Sequence, residues 1–182
     1  MQQQDPLLWR QFERERQEGI VRILKNEIVD KEQIRYEVAK ENDSEVLLAM
    51  MKDFYAIDGY PFDKSRNLRI YEKLLAHPEW GRIWIVRLND EVVAYFVVTY
   101  GYSFEYGGRD AIIDELYICE AWRNKGIGSN ILHFLESETK KLGIKTLHLE
   151  VEDTNKAGWR LYENHGFKSK HRKFLSKSIA TS

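Results

Sequence analysis

The most constraining stretch of this chain is AIIDELYICEAWRNKGIGSNILHFLESETKKLGIKTLHLEVE, residues 111–152. Its first nine residues form a nearly unbroken apolar run, as expected of a strand buried in the centre of a sheet. A turn with two glycines, RNKGIG, follows. Ile127, Ile131, Leu135 and Leu142 then recur at helical spacing, and Gly143 stands where a C-cap glycine belongs. KTLHLEVE (145–152) reads as the next strand. Strand, helix and strand in that order make a parallel step, because parallel strands need a long crossover between them.

The rest of the chain builds around that unit. IRYEVA (34–39) alternates like a strand. NDSEVLLAMMKDFYAIDGY reads as a helix with Asp43 or Ser44 as N-cap and Val46, Leu47, Met50, Met51 and Phe54 on one side. A loop, YPFD, leads to a second helix near 65–77, capped by Ser65 and ended before Pro78. RIWIVRLNDEVVAYFVVTYGYS is two strands joined at Asn89-Asp90. NKAGWRLYENHGF is a short helix closed by Gly166, and a final strand or pair of strands is expected through about residue 178. The order β–α–α–β–β–β–α–β–α–β describes an α/β (α+β mixed-sheet) domain with flanking helices over residues 34–178. Residues 1–33 read as an N-terminal helical extension or arm, with Pro6 in a first helical position and Leu7, Leu8, Trp9 and Phe12 on one face. Such an arm packs on the domain or on a second subunit, so a homodimer is one expectation.

A chain of 182 residues suits one domain. A net charge of −1 gives no global field toward nucleic acid or a membrane surface, and neither is an expected partner. The basic run Lys168, Lys170, Arg172, Lys173 and Lys177 reads as a solvated edge strand. Cys119 is the only cysteine, so no intrachain disulfide forms and a cytoplasmic address is expected. It reads as a small buried hydrophobe. His77, His133, His148, His165 and His171 show no ligand spacing, so no metal is expected.

The turn itself has a chemistry. A glycine-containing link between a buried strand and a helix gathers free backbone N–H groups at a positive helix end. Arg123 and Lys125 add charged donors, so phosphate or pyrophosphate is the natural guest. The spacing is not that of a P-loop. A dinucleotide fingerprint is the sharper rival, with Gly126 and Gly128 as two of its glycines and Glu150 near the acidic position. Ile131, however, occupies the third glycine position, and no second βαβ half is present.

IDELYICEAWRNKGIGSNIL, with its R-x-x-G-x-G core, and LEVEDTNKAGWRLYENHGF resemble the two signature segments of the GNAT-type N-acetyltransferase superfamily. The likeness covers roughly residues 34–175, and the central strand and turn are most similar to the diamine acetyltransferase branch. The resemblance implies a GNAT-like fold in which two central parallel strands splay apart. Acetyl-CoA as co-substrate would lie in the gap, with its pantetheine and acetyl group on the main chain of Leu116, Tyr117 and Ile118. Arg123, Asn124, Lys125, Gly126, Ile127, Gly128 and Ser129 would wrap the pyrophosphate, and Asn155 would touch the cofactor. Tyr162 matches the family's tyrosine beside the thioester sulfur and would protonate the leaving thiolate. Without that match, it reads as an amphipathic packing residue.

The implied reaction is direct transfer of the acetyl group to a primary amine, which must first lose a proton to a base. Asp114 and Glu115 are the candidates, with Asp114 favoured. Strict alternation sends them to opposite faces, unless a bulge interrupts the strand. The acceptor is expected against Phe54, Tyr55, Tyr60, Phe62, Tyr102, Phe104 and Tyr106, with Asp53, Asp58, Asp63, Glu105 and Asp110 among them. Aromatics with carboxylates suit a cationic amine: a polyamine, an aminoglycoside-like amine or a lysine side chain. A GNAT-like module that binds acyl-CoA without turnover is the alternative.

Overall fold

The computed structural model describes residues 33–170 and 174–179. The expected N-terminal arm, and His171, Arg172 and Lys173 of the basic run, lie outside them. The chain divides into two compact units, residues 1–150 and 151–182.

The first unit is a five-stranded sheet with β1 (Ile34–Val38), β2 (Gly81–Leu88), β3 (Glu91–Ser103), β4 (Gly108–Ile118) and β5 (Thr146–Leu149) in that spatial order. The first four run antiparallel, and β5 pairs parallel to β4, the step read from the sequence. Between β1 and β2 stand α1 (Ser44–Ile57) and α2 (Lys64–Ala76); α3 (Ile127–Lys141) connects β4 to β5. The β2–β3 hairpin turns at Asn89-Asp90, where Asn89 takes a left-handed φ of 55°.

Helices cover both faces of the sheet, which is why β2 is buried along most of its length and β3 from Val93 to Val98. On one face Ile83, Ile85, Tyr95, Val97 and Tyr117 pack with Leu47, Leu48, Met50 and Met51 of α1 and Tyr71 of α2. On the other, Trp84 and Phe96 stack at 5.1 Å, and Phe134 of α3 closes on them and on Tyr36. Ile127, Ile131 and Leu135 of α3 are fully buried, each contributing about 1.5–3 kcal/mol. Gly143, at φ 70°, ends that helix in the left-handed conformation.

Several local expectations change. Leu48 rather than Val46 joins the buried side of α1. The cap of α2 is Asp63, whose carboxylate accepts from the Arg66 N–H at 2.9 Å, so the helix begins before Ser65. Asp43 stands at the N-cap of α1 but accepts from Lys40 N–H and from the Arg87 guanidinium instead of from its own helix. β5 is shorter than its apolar run, ending at Leu149. The second unit holds α4 (Lys156–Asn164), closed by Gly166 at φ 83°. Residues 167–170 and 174–179 form no strand, so the basic residues among them are not on a sheet edge.

Candidate functional site

The central strand is interrupted where the two carboxylates lie. In the β3–β4 ladder Val98 pairs with Ile113 and Val97 with Glu115, so Asp114 is the extra residue of a β-bulge. Neighbours on β3 face opposite sides, so Ile113 and Glu115, although two apart, face opposite sides as well. Glu115 therefore turns toward the face covered by α1, with Tyr95 and Tyr117. Asp114 lies close enough to Glu115 and to Tyr55 that its charge raises the pKa of both. The exception the sequence allowed is met: a bulge interrupts the alternation between the two carboxylates.

Glu115 is half-buried, and each of its oxygens is engaged by one hydroxyl. Its Oε1 accepts from the Tyr55 hydroxyl and its Oε2 from the Tyr95 hydroxyl, both at 2.9 Å. Burial pushes its carboxyl above the ordinary glutamate range; the two tyrosine bonds pull it down, and Asp114 adds to the rise. Asp114 is exposed, yet the protein around it also raises its carboxyl. Tyr55 comes from α1 and packs edge-on to Phe54 and Phe62, at 6.1 and 5.9 Å. Tyr95 is completely buried in β3. The sequence reading named Tyr55 only as an aromatic wall and passed over Tyr95. A hydroxyl inside the buried run VVAYFVV was the available signal, since such a group needs a buried partner.

Beyond the bulge, β4 loses its outer neighbour. Pairing with β5 covers only Asp110 to Ile113, so the main chain of Leu116, Tyr117 and Ile118 has no strand on that side among the described residues. Cys119 N–H bonds to Val93 O, and strand N–H groups alternate in direction, so Ile118 N–H turns to the open edge. Ile118 O, on the same edge, accepts from Arg123 Nε at 3.0 Å.

A short 3₁₀ turn, Glu120–Trp122, then delivers the glycine turn. Asn124 and Gly126 both take left-handed φ, 61° and 82°, and Gly126 is the N-cap of α3. Having no side chain, it leaves the N–H groups of Ile127 and Gly128 without a cap. A Cβ on Gly126 would meet nothing within 4 Å, so the backbone lies open to a guest. The donors and the space fit a pyrophosphate. Ser129 is half-buried in the first turn. Arg123 lies with its guanidinium 5.6 Å from the Tyr117 ring, and Lys125 Nζ stands 4.7 Å from that of Trp122. The basic side chains thus lean on aromatic rings beside the turn. Cys119 is half-buried, its thiol turned to Val92 O and its pKa raised by burial, as suits a packing residue.

In the second unit Asn155 is the N-cap of α4, its Oδ1 accepting from Gly158 N–H at 2.8 Å. Tyr162 lies on that helix edge-on to Phe167 at 5.8 Å, and burial raises its phenol pKa.

The aromatic and acidic residues expected around an acceptor separate into two places. Phe54, Tyr55 and Phe62 gather beside Glu115 and Tyr117. Tyr102 and Phe104 stand out from the β3–β4 hairpin, 75% and 98% exposed. Tyr106 packs on His148, which lies 3.6 Å from Asp110. Asp63 serves as a helix cap. Among the described residues no helix is long and apolar enough to cross a membrane. No three His, Cys, Asp or Glu residues among them gather as a metal site requires.

Known proteins share this fold. The chain is 24% identical over 134 residues to an uncharacterized N-acetyltransferase of Methanocaldococcus jannaschii, covering 73% of this chain and 59% of that protein. An integron cassette protein from the mobile metagenome of Cole Harbour Salt Marsh superposes with TM-score 0.72 at 30% identity, over 84% of this chain and 93% of its own. A predicted acetyltransferase from Clostridium acetobutylicum, solved with acetyl-CoA, superposes with TM-score 0.67 at 20% identity, over 79% and 96%. The acetyltransferase (GNAT) family model matches residues 36–167, which takes in the bulged strand, the glycine turn and the Asn155–Tyr162 segment. This chain belongs to the GNAT acetyltransferase family.

Proposed function

We propose that the protein transfers an acetyl group from acetyl-CoA directly to a primary amine, with a cationic small molecule, such as a polyamine or an aminoglycoside-like amine, or a lysine side chain as acceptor. The observation that carries this reading is the run of β4 from its bulge, along an edge without a strand partner among the described residues, into the open glycine turn of α3. Leu116, Tyr117 and Ile118 hold the pantetheine and acetyl group, and Arg123 to Ser129 hold the pyrophosphate. The helix end supplies N–H donors and favours negative charge.

The amine nitrogen attacks the thioester carbonyl carbon, and the carbon–sulfur bond breaks. Asp114 accepts the amine proton, directly or through water. It is the exposed carboxylate of the pair, and its raised pKa makes it a better base than an ordinary aspartate. The carbonyl oxygen carries negative charge in passing, and Ile118 N–H, directed to the open edge, is the donor for it. The departing thiolate takes a proton from Tyr162, whose phenol, like any tyrosine's, is protonated at neutral pH. Aromatic rings and two carboxylates beside the bulge support a cationic acceptor of the kind handled by the diamine branch. The single cysteine supports a cytoplasmic address, and residues 1–33 remain the candidate dimer arm.

The test is acetyl-CoA consumption across a panel of polyamines, aminoglycosides, lysine peptides and neutral or anionic amines. Reaction with neutral or anionic acceptors alone would overturn the cationic assignment. Acetyl-CoA binding with no acceptor turned over would replace the enzyme by a binding module.

A further inference from the structure

Buried carboxylates in proteins are normally balanced by a cation. Half-buried Glu115 has no such partner: among the described residues no Lys, Arg or His pairs with it, and it accepts from two neutral hydroxyls. We propose that Glu115 is a prearranged anion for the acceptor's ammonium group, and that Tyr55 and Tyr95 are the positioning residues that hold it ionised and oriented. The inference rests on the acetyl-transfer reading and deepens it. Glu115 binds the charged amine, and Asp114, next to it on the bulge, takes the proton.

The geometry separates the two carboxylates. Each Glu115 oxygen already accepts one hydroxyl, from α1 on one side and β3 on the other, which fixes the plane of the group. A carboxylate has about four acceptor sites, so capacity remains for an ammonium donor. Asp114 makes no hydrogen bond to the described residues and keeps its oxygens for a transferring proton. Tyr95 is immobile in the core, whereas Tyr55 stands on the helix that also carries Phe54, so the oxygen it holds faces the aromatic cluster. The charged and titratable groups acting here are Asp114 and Tyr117 of β4, Tyr95 of β3, Tyr55 and Asp53 of α1, Arg66 of α2, and Cys119 and Arg123 after β4, these last two and Asp53 acting through Tyr117. Arg66 acts on Tyr55, with no ion pair to Glu115.

The experiment titrates carboxyl-carbon-labelled glutamate by NMR in the wild type, Tyr55→Phe, Tyr95→Phe and Glu115→Gln; the last assigns the Glu115 signal. Removing one hydroxyl donor from a charged acceptor should raise the Glu115 midpoint by about one pH unit. The acid limb of kcat/KM should rise with it and KM below that limb by roughly tenfold, while the kcat limb stays in place. The acceptor found by the panel, or putrescine where none reacts, should move the Glu115 signal on binding. Tyr55→Phe is the informative variant, since the half-buried ring can stay in place; its acetyl-CoA thermal shift checks that the fold survives. Unchanged titration in a folded Tyr55→Phe protein overturns the inference, as does a fall in kcat with KM unmoved, which would make Glu115 the base. An amine that is acetylated without moving the Glu115 signal overturns this inference and leaves the transfer reading intact. An amine that moves the signal and is never acetylated overturns the transfer reading and leaves the cation site.

Discussion

Gly126 and Gly143 open and close the same helix with nearly the same backbone, φ 82° and φ 70°, and a Cβ at either would meet nothing within 4 Å. Alanine at each therefore carries the same strain, about 1 kcal/mol for a non-glycine residue in the left-handed region. In a chain of this size that lowers Tm by roughly 2–4 °C in both variants. They differ in what occupies the open space. At Gly143 it is solvent; at Gly126 it is the position proposed for the pyrophosphate, so a methyl group should push the anion away from the N–H groups of Ile127 and Gly128. With acetyl-CoA at 100 times its Kd, the wild type gains about 2.7 kcal/mol. A tenfold weaker Kd cuts that to about 1.4 kcal/mol, so the ligand-induced rise in Tm should fall by roughly half in Gly126→Ala and stay whole in Gly143→Ala. Differential scanning fluorimetry with and without acetyl-CoA reads both quantities. Equal ligand shifts in the two variants would remove the turn from the cofactor site, whatever their common loss of stability.

Other outcomes follow from the same geometry. Tyr162→Phe should leave the acetyl-CoA thermal shift unchanged and slow single-turnover transfer by about 10²-fold, the lower end for a general acid; transfer at the wild-type rate would refute the proton-donor role. Asn155→Ala removes the N-cap bond to Gly158 and should destabilise α4 by about 1 kcal/mol, with Asn155→Ser recovering most of it; hydrogen exchange of the Gly158 amide measures this, and unchanged protection would count against the cap. Asp114 and Glu115 both have carboxyls raised in the folded state, so the native protein holds their protons more tightly than the unfolded chain does. That contribution is fully present below their unfolded values and is lost as pH rises through the folded ones. Across a Tm series from about pH 4 to about pH 7, Asp114→Asn/Glu115→Gln should therefore fall less, or rise more, than the wild type. An identical slope would mean that neither carboxyl is perturbed.

Local rules accounted for much of this molecule. The Asn89-Asp90 hairpin, the helix ends at Gly143 and Gly166, and the glycine turn that opens α3 all follow from backbone preferences that a few adjacent residues express. The last strand, absent among the described residues after Gly166, shows the limit, since lysine-rich alternation there predicts an edge strand only where a sheet edge accepts one. Ser65 was a sound cap by residue type, yet Asp63 two positions earlier captured the Arg66 N–H and started the helix sooner.

Taken by itself, the sequence determined the parallel β4–α3–β5 step, the glycine turn that opens α3 and the pair of carboxylates ahead of it, because period, turn chemistry and motif spacing are written in neighbouring residues. Only the tertiary structure decided where those carboxylates lie and which groups hold them. Asp114 becomes the extra residue of a bulge because the β3 register slips between Val97 and Val98. Glu115 meets Tyr55 and Tyr95 across sequence separations of 60 and 20 residues. Registers and buried hydrogen bonds depend on which distant groups are brought together, and no local pattern along the chain carries that information.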